Sequence, residues 1–176
     1  CAERIRKYTN YIEKKKLEVA TERQEELDSL NEMYCNVQQD IDTAMHFDRR
    51  LFEKTREDED FLHIYLGQGT IASSRPIDYK KQERLEVGDE LTEMPEKIYQ
   101  LFEHIDGAPI CSDMKDSNAI GIVGTKEALY GMFKNIVIDI AVRHYYGDVR
   151  LYMLVDDEKR YQWARFLPHL MNAGGI

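Results

Sequence analysis

The stretch IGIVGTKEALYG, Ile120 to Gly131, holds residue types that bind phosphate: an apolar run, a glycine, Thr-Lys, then the start of a helical pattern. A working phosphate loop reads GxxxxGK[ST]. Its backbone N–H groups wrap the phosphates, its lysine neutralises the β and γ groups, and its Ser or Thr hydroxyl ligates magnesium. Here only Gly121 and Gly124 precede Lys126, so the four-residue spacer is gone and no glycine stands directly before the lysine. Glu127 occupies the place of the hydroxyl. A carboxylate beside a phosphate costs roughly 1 kcal/mol even at water-like screening. The dinucleotide fingerprint GxGxxG fails on the same glycines. What remains is the weak pull of a helix start on any anion. Gly121, Gly124, Thr125, Lys126 and Glu127 are therefore expected to form a degenerate loop, in which Gly124 turns the chain and Thr125 caps a helix. The alternative is a nucleotide-binding loop of unusual form that depends on Lys126.

No other set of residues has catalytic spacing. Asp156 and Asp157 end a strand-like run, where catalytic acids often sit, but no base or metal partner accompanies them, so a turn and a helix cap are expected. The cysteines, Cys1, Cys35 and Cys111, are odd in number and form no CxxC pair. The five histidines are scattered and none lies in an HExxH. Zinc and a disulfide framework are both poorly supported, and neither a catalytic residue nor a metal site is expected in the chain. A formal net charge of −9 argues against a broad nucleic-acid surface. No apolar run reaches the length of a membrane span. The chain starts without Met and ends on NAGGI, so both ends read as cuts through a longer protein.

The elements that must position the loop follow from periodicity. Residues 1 to about 34 contain no Gly or Pro and space Ile5, Tyr8, Ile12, Val19, Leu27, Leu30 and Tyr34 as one helical stripe, with Lys16 and Arg23 in the turns between. This predicts either a solvated helix packed on its own domain or a protruding stalk, about 50 Å long, with a coiled-coil seam. NVQQDIDTAMHF predicts a short second helix. FLHIYLG and GTIASSRPIDY read as strands, with Gly67 and Gly69 bracketing a sharp connection. KKQERLEVGDEL is a further strand or an exposed loop. TEMPEKIYQLFEHI is a helix with Thr92 as N-cap and Pro95 in its first turn. APICSDM, NAIGIVG and GDVRLYMLVDD read as strands, TKEALYGMFKNIVIDIAVRHYY as a buried helix, and EKRYQWARFLPHL as a helix stopped by Pro168. Strand and helix alternate over the last ninety or so residues, as in half of a parallel α/β domain. The fold expected is thus α/β: a helical stalk at 1–46, a small β-containing domain at 47–90, and a partial, degenerate ATPase-like domain with a parallel sheet at 91–176.

Two segments carry a family resemblance. RLFEKTREDEDFLHIYLGQG resembles the pattern R-L-W-E-R-R-P-x-D-x-D-F-L-x-x-R-L-G-x-G. IGIVG through LPHL resembles a glycine turn, buried helix and strand ending in W-x-x-x-L-P-H. Both occur, in this order, in membrane-anchored FtsK/SpoIIIE-type ATPases of type VII secretion, the EssC/EccC family, and the resemblance covers roughly residues 45 to 170. By position Arg50, Leu51, Glu53, Asp58, Asp60, Phe61, Leu62, Leu66, Gly67 and Gly69 match, as do Trp163, Leu167, Pro168 and His169. Phe52 stands for Trp and Lys54 for Arg, while Thr55, Arg56 and Tyr65 depart. Read as residues alone, Phe61, Leu62 and Leu66 are core, Asp58 and Asp60 turn acids, Arg50 and Glu53 an exposed i, i+3 pair, and Trp163 and Leu167 one helix face.

The resemblance implies a non-catalytic segment on the cytoplasmic side of the membrane, between membrane helices and intact ATPase modules. ATP and magnesium would belong to those downstream modules. Its partners would be other modules of the same chain and other secretion subunits, with self-association through the helix at 1–34 as a further option. A DNA translocase segment of the same superfamily would need a basic face, and a free-standing helical interaction protein would not carry a partial α/β sheet.

Overall fold

The computed structural model describes residues 2–79, 90–117 and 119–171. The order is α1 (Ala2–Met33), α2 (Val37–His46), β1 (His63–Ala72), α3 (Glu90–Phe102), β2 (His104–Asp113) and α4 (Lys126–Arg143), followed by 3-10 helices at Gln162–Phe166 and Pro168–Leu170. The chain is mixed α/β with a long N-terminal helix. Its contacts divide it into two units, residues 1–33 with 68–110 and residues 34–67 with 111–176.

In the first unit α1 is as long as its stripe predicts. Its first two turns leave Ile5 and Tyr8 exposed, whereas Ile12 is buried. Arg23, which breaks the apolar stripe, is buried for a polar reason. Its Nε donates to Phe102 O at 2.7 Å and its Nη2 to Arg75 O at 2.8 Å. The first of these satisfies a carbonyl at the end of α3, which has no partner inside the helix. One turn on, Glu26 accepts from Ser73 Oγ, Ser74 Oγ and the Ser74 N–H at 2.6, 2.6 and 2.7 Å. Burial opposes the Glu26 charge, yet these bonds outweigh it and hold its carboxyl below the usual range.

β1 and β2 form an antiparallel pair, the one sheet among the described residues. A constant register links the Ser73 N–H to Glu103 O, Thr70 Oγ1 to Asp106, His63 to Asp113, and the Met114 N–H to Leu62 O. The two expected strands at FLHIYLG and GTIASSRPIDY are thus one. Gly67 does not bracket a turn. It sits in the strand at φ 153°, a backbone angle that side chains rarely adopt. Gly69 faces Ile110, whose Cγ1 would lie 3.1 Å from an added Cβ.

α3 is already helical at Glu90, so Thr92 lies inside it and not at its cap, and Pro95 is interior. It stops at Phe102, and His104 and Ile105, expected in the helix, belong to β2. All of KKQERLEVGDEL except its last two residues lies outside the described residues, as does NAGGI.

In the second unit α2 begins with a reciprocal cap. The Asn36 side chain accepts from the Gln38 and Gln39 N–H groups, and Gln39 Oε1 accepts from the Asn36 N–H. α2 packs on α4. Phe61, Ile64, Val137, Ile140, Ala141, Val142 and Ala164 supply buried apolar surface. α4 is buried over its second half and exposed over much of its first, so the expectation of a buried helix holds only from Val137 onward. The expected parallel sheet is not formed among the described residues: 119–124 and 149–157 enter no ladder. A strand is stable only when its backbone is paired, whatever its side-chain pattern. The expected helix over EKRYQWARFLPHL is a turn followed by two short 3-10 helices. With three residues per turn, Trp163 and Leu167 do not share a face there.

Candidate functional site

The loop from Gly121 to Glu127 behaves as a helix start. Thr125 has extended backbone, φ −69° and ψ 156°, and its Oγ1 accepts from the Ala128 N–H at 3.4 Å. Its hydroxyl is therefore committed to capping. Gly124 has only ordinary contacts, with Ala128 and Leu129, and a Cβ on Gly121 would meet open space. Neither glycine shapes a tight phosphate cradle. Lys126 Nζ points to Asp156 Oδ2 at 3.8 Å, both side chains being exposed. Glu127 lies in the first turn of α4, where a negative charge suits the helix dipole. A lysine beside an acid, a hydroxyl that caps the helix and a second acid next in sequence differ from the glycine, lysine and hydroxyl set of a working phosphate loop.

Beside the loop is an open groove of about 450 Å³. Ile122, Leu129, Phe133, Leu154 and Val155 line its apolar part, and Lys126, Asp156 and Arg160 its polar part. The Arg160 guanidinium stacks over the Tyr130 ring, 4.0 Å from its centroid.

Several family-motif residues, Phe61, Leu62, Glu53, Asp60 and His169 among them, gather elsewhere, around the C-terminal end of α4. A helix end leaves carbonyls without partners. The motif supplies them: the Phe52 N–H donates to Val142 O at 2.8 Å and the Lys54 N–H to Arg143 O at 2.9 Å. To run this way Phe52 takes φ 59°, and ten residues on Leu62 takes φ 64°. Left-handed backbone costs a non-glycine residue of order 1 kcal/mol or more, so the surrounding contacts must hold both in place. The Leu62 N–H donates to His144 Nε2 at 3.0 Å, which puts the His144 proton on Nδ1. Phe61 packs edge-on against the same ring. The His169 Nε2–H donates to His144 O at 2.8 Å. Leu62 of the first motif and His169 of the second, far apart in sequence, thus meet on His144.

Ion pairs complete the cluster. Glu53 pairs with Arg50 at 3.4 Å and also with Arg143, so it is one arm of a bridge and not the plain exposed pair that sequence suggested. Asp60 is paired with buried Lys54 and is more than a turn acid. Asp58 does close a turn, accepting from the Thr55 N–H and hydroxyl at 2.7 and 2.8 Å. Leu51, Leu66 and Leu167 are half-buried, and Pro168 opens the last 3-10 helix. The Trp163 ring lies 5.9 Å from Lys134 Nζ.

Sequence reasoning missed the centre of this cluster: Asp40, Asp139, Arg143 and His144, all buried. Asp139 accepts from the Tyr65 N–H at 3.2 Å. Burial pushes the Asp40 carboxyl up to about 7, with Asp139 adding to it, and burial pushes Asp139 up to about 6. Burial, then the Lys54 charge, takes His144 down to about 4, so its ring is neutral at pH 7. A lone acid in IVIDIAV with an arginine one turn later was the available signal; nothing in NVQQDIDTAMHF marked Asp40. The arrangement locks elements together. It offers no open nucleophile, and its histidine is enclosed.

The sequence comparisons bear on what such an assembly belongs to. No family model matches the chain. It is 28% identical over 173 residues, 97% of its length, to the type VII secretion system protein EssC of Staphylococcus aureus strain MSSA476. It is 29% identical over 170 residues, 94% of its length, to the ESX secretion system protein EccC of Geobacillus thermodenitrificans. Its relatives are type VII secretion proteins. The chain spans 12% of the length of the first and 11% of the second. Among the described residues no helix is long and apolar enough to cross a membrane.

Proposed function

We propose that this chain is a non-catalytic stalk and pseudo-ATPase segment of a type VII secretion motor, on the cytoplasmic side of the membrane. It couples the membrane part of its parent protein to downstream ATPase modules. The observation that carries this reading is the loop at 121–127. Thr125 is spent on the helix cap, Lys126 lies beside Asp156, and Glu127 stands where a magnesium ligand would be needed. The relatives support the secretion context. The buried cluster around His144 suits a mechanical role, because it ties α2, the motif loop and the end of α4 into one unit. In this reading ATP and magnesium act in other modules of the parent. Partners are those modules and other secretion subunits, and α1 provides the surface for self-association.

Calorimetry with ATP and ADP in the presence of magnesium tests the reading, on this chain and on Lys126→Ala. No heat at millimolar nucleotide is expected for either. Micromolar binding that disappears in Lys126→Ala would make the segment a nucleotide sensor or enzyme instead.

A further inference from the structure

The charges of α1 are segregated along its length. Residues 2–16 carry six Lys or Arg against two Glu, whereas residues 17–33 carry six Asp or Glu against Arg23 alone. A helix brings together residues three and four apart, so Arg4, Lys7, Tyr8, Tyr11, Lys14 and Lys15 fall on one face. All six are exposed. By the same spacing the face reverses sign at Glu18 and runs on through Glu22 and Glu25. Among the described residues its lysines are held by pairs along the helix: Lys7 with Glu3 at 2.9 Å, and Lys14 and Lys15 with Glu18 at 4.0 and 2.6 Å. Such exposed pairs contribute little, and a denser array of anions can replace them. Beside the cations, Ile5 and Tyr8 prolong the apolar stripe past buried Ile12 and are 47% and 39% exposed; Tyr11 is 55% exposed.

We propose that this face docks on anionic lipid headgroups, with residues 2–16 of α1 lying against a bilayer surface. The proposal goes beyond the motor reading and stands on α1 alone. Charge complementarity and composition select the occupant. Lysine and arginine beside exposed tyrosine and isoleucine are the residues of helices that lie in a membrane interface: the cations meet the headgroup phosphates and the rings sit at headgroup level. Among the described residues no helix is long and apolar enough to cross a membrane, so the contact proposed is with the surface. A net charge of −9 repels a long polyanion such as duplex DNA, which would extend past the basic turns. A bilayer can be met by those turns alone, over about 20 Å of helix. The acids from Glu18 onward confine the contact to that length, and charges more than about 10 Å from the surface are largely screened.

Co-sedimentation of the 176-residue chain with phosphatidylcholine vesicles, with and without phosphatidylglycerol, tests this. Binding is expected only with phosphatidylglycerol and should fade as salt rises from about 0.05 to 0.5 M. Lys14→Gln combined with Lys15→Gln should weaken it roughly fivefold for each charge removed. Tyr8→Ser combined with Tyr11→Ser should weaken it while the salt dependence persists. Glu22→Gln, on the acidic stretch of the same face, should not weaken it. These side chains are all exposed, and unchanged circular dichroism and melting show that each variant is folded. No binding, equal binding to both vesicles, or equal binding by the double lysine variant and wild type overturns the proposal. Lipid-free association that grows with protein concentration and is abolished by the lysine changes, in place of vesicle binding, also overturns it and makes the acidic half of a second α1 the occupant. Preference for an oligonucleotide over the vesicles does the same for nucleic acid. Heat on adding ATP reports on the loop at 121–127 and leaves these outcomes unchanged, so the two readings fail separately.

Discussion

The Asp40 carboxyl and the Arg143 guanidinium lie 3.8 Å apart, with side chains 0% and 2% exposed. Neither oxygen of Asp40 has a hydrogen-bond partner among the described residues. Arg143 is shared with Glu53, and Asp139 sits one turn before it on α4. Several acids therefore share the buried Arg143 guanidinium, and burial tips Asp40 toward its protonated form.

This arrangement gives stability a defined pH dependence. Asp40 titrates near 7 in the folded chain and near 3.8 in the unfolded one. Between those values the folded state holds more protons, so stability falls as pH rises from about 4 to 7 and the loss is complete above that. Asp139, near 6 when folded, acts in the same direction. His144 acts oppositely. Near 4 when folded and 6.5 when unfolded, it costs stability as pH falls through that window. The difference between wild type and Asp40→Asn isolates the first effect. In urea melts the variant should match wild type below about pH 4 and exceed it by a margin that grows up to about pH 7 and is constant above. Parallel curves from pH 5 to 8 would show that Asp40 is ionised throughout.

Removing the cation should be worse than removing the acid. Arg143→Met leaves Asp40 and Asp139 buried without their shared guanidinium. Breaking a buried pair in this way costs about 3–5 kcal/mol. The loss should be larger at pH 8 than at pH 5, because at the lower pH the carboxyls take up protons. Chemical denaturation of the variant at the two pH values checks both size and direction.

Legibility differed between the two units for physical reasons. α1, α2 and the Thr125 cap are set by local spacing and capping chemistry, which a sequence carries within a few residues, so they were readable. β1 reads as two strands in the sequence because Gly67 signals a turn as strongly as it signals an unusual angle within a strand. The stretches at 119–123 and 151–156 have strand patterns, but a ladder needs a partner, and none lies among the described residues. The motif residues were found by resemblance. Their roles were not, because Glu53 and Asp60 act through Arg143 and Lys54, contacts that only the fold creates.

Glu26 offers a test in the first unit. It accepts three short hydrogen bonds from Ser73 and Ser74 while buried beside Arg23, 3.5 Å away. Glu26→Ala leaves those donors without that acceptor and Arg23 without its ion-pair partner, which should cost about 1–3 kcal/mol. Its carboxyl lies below the usual range when folded, so its contribution is present above the unfolded value near 4.5 and is lost as pH falls through the folded value. Glu26→Gln should recover part of the loss, since its amide oxygen still accepts. Thermal melts of the two variants at pH 7 give the order, and equal melting of Glu26→Ala and wild type would remove Glu26 from the stabilising contacts.

Thr125 and Lys126 separate a structural loop from a binding one. If the loop serves only to start α4, Thr125→Ala should cost about 1 kcal/mol through loss of the cap. Amide exchange should then rise over the first turn of α4, above all at Ala128, whose N–H the hydroxyl accepts. Lys126→Ala should leave melting and exchange unchanged, because its pair with Asp156 is exposed and screened. Thr125→Ser should restore the cap. The reverse order, with Lys126→Ala the damaging change and Thr125→Ala silent, would mean that the lysine organises the loop and that Asp156 is its structural partner.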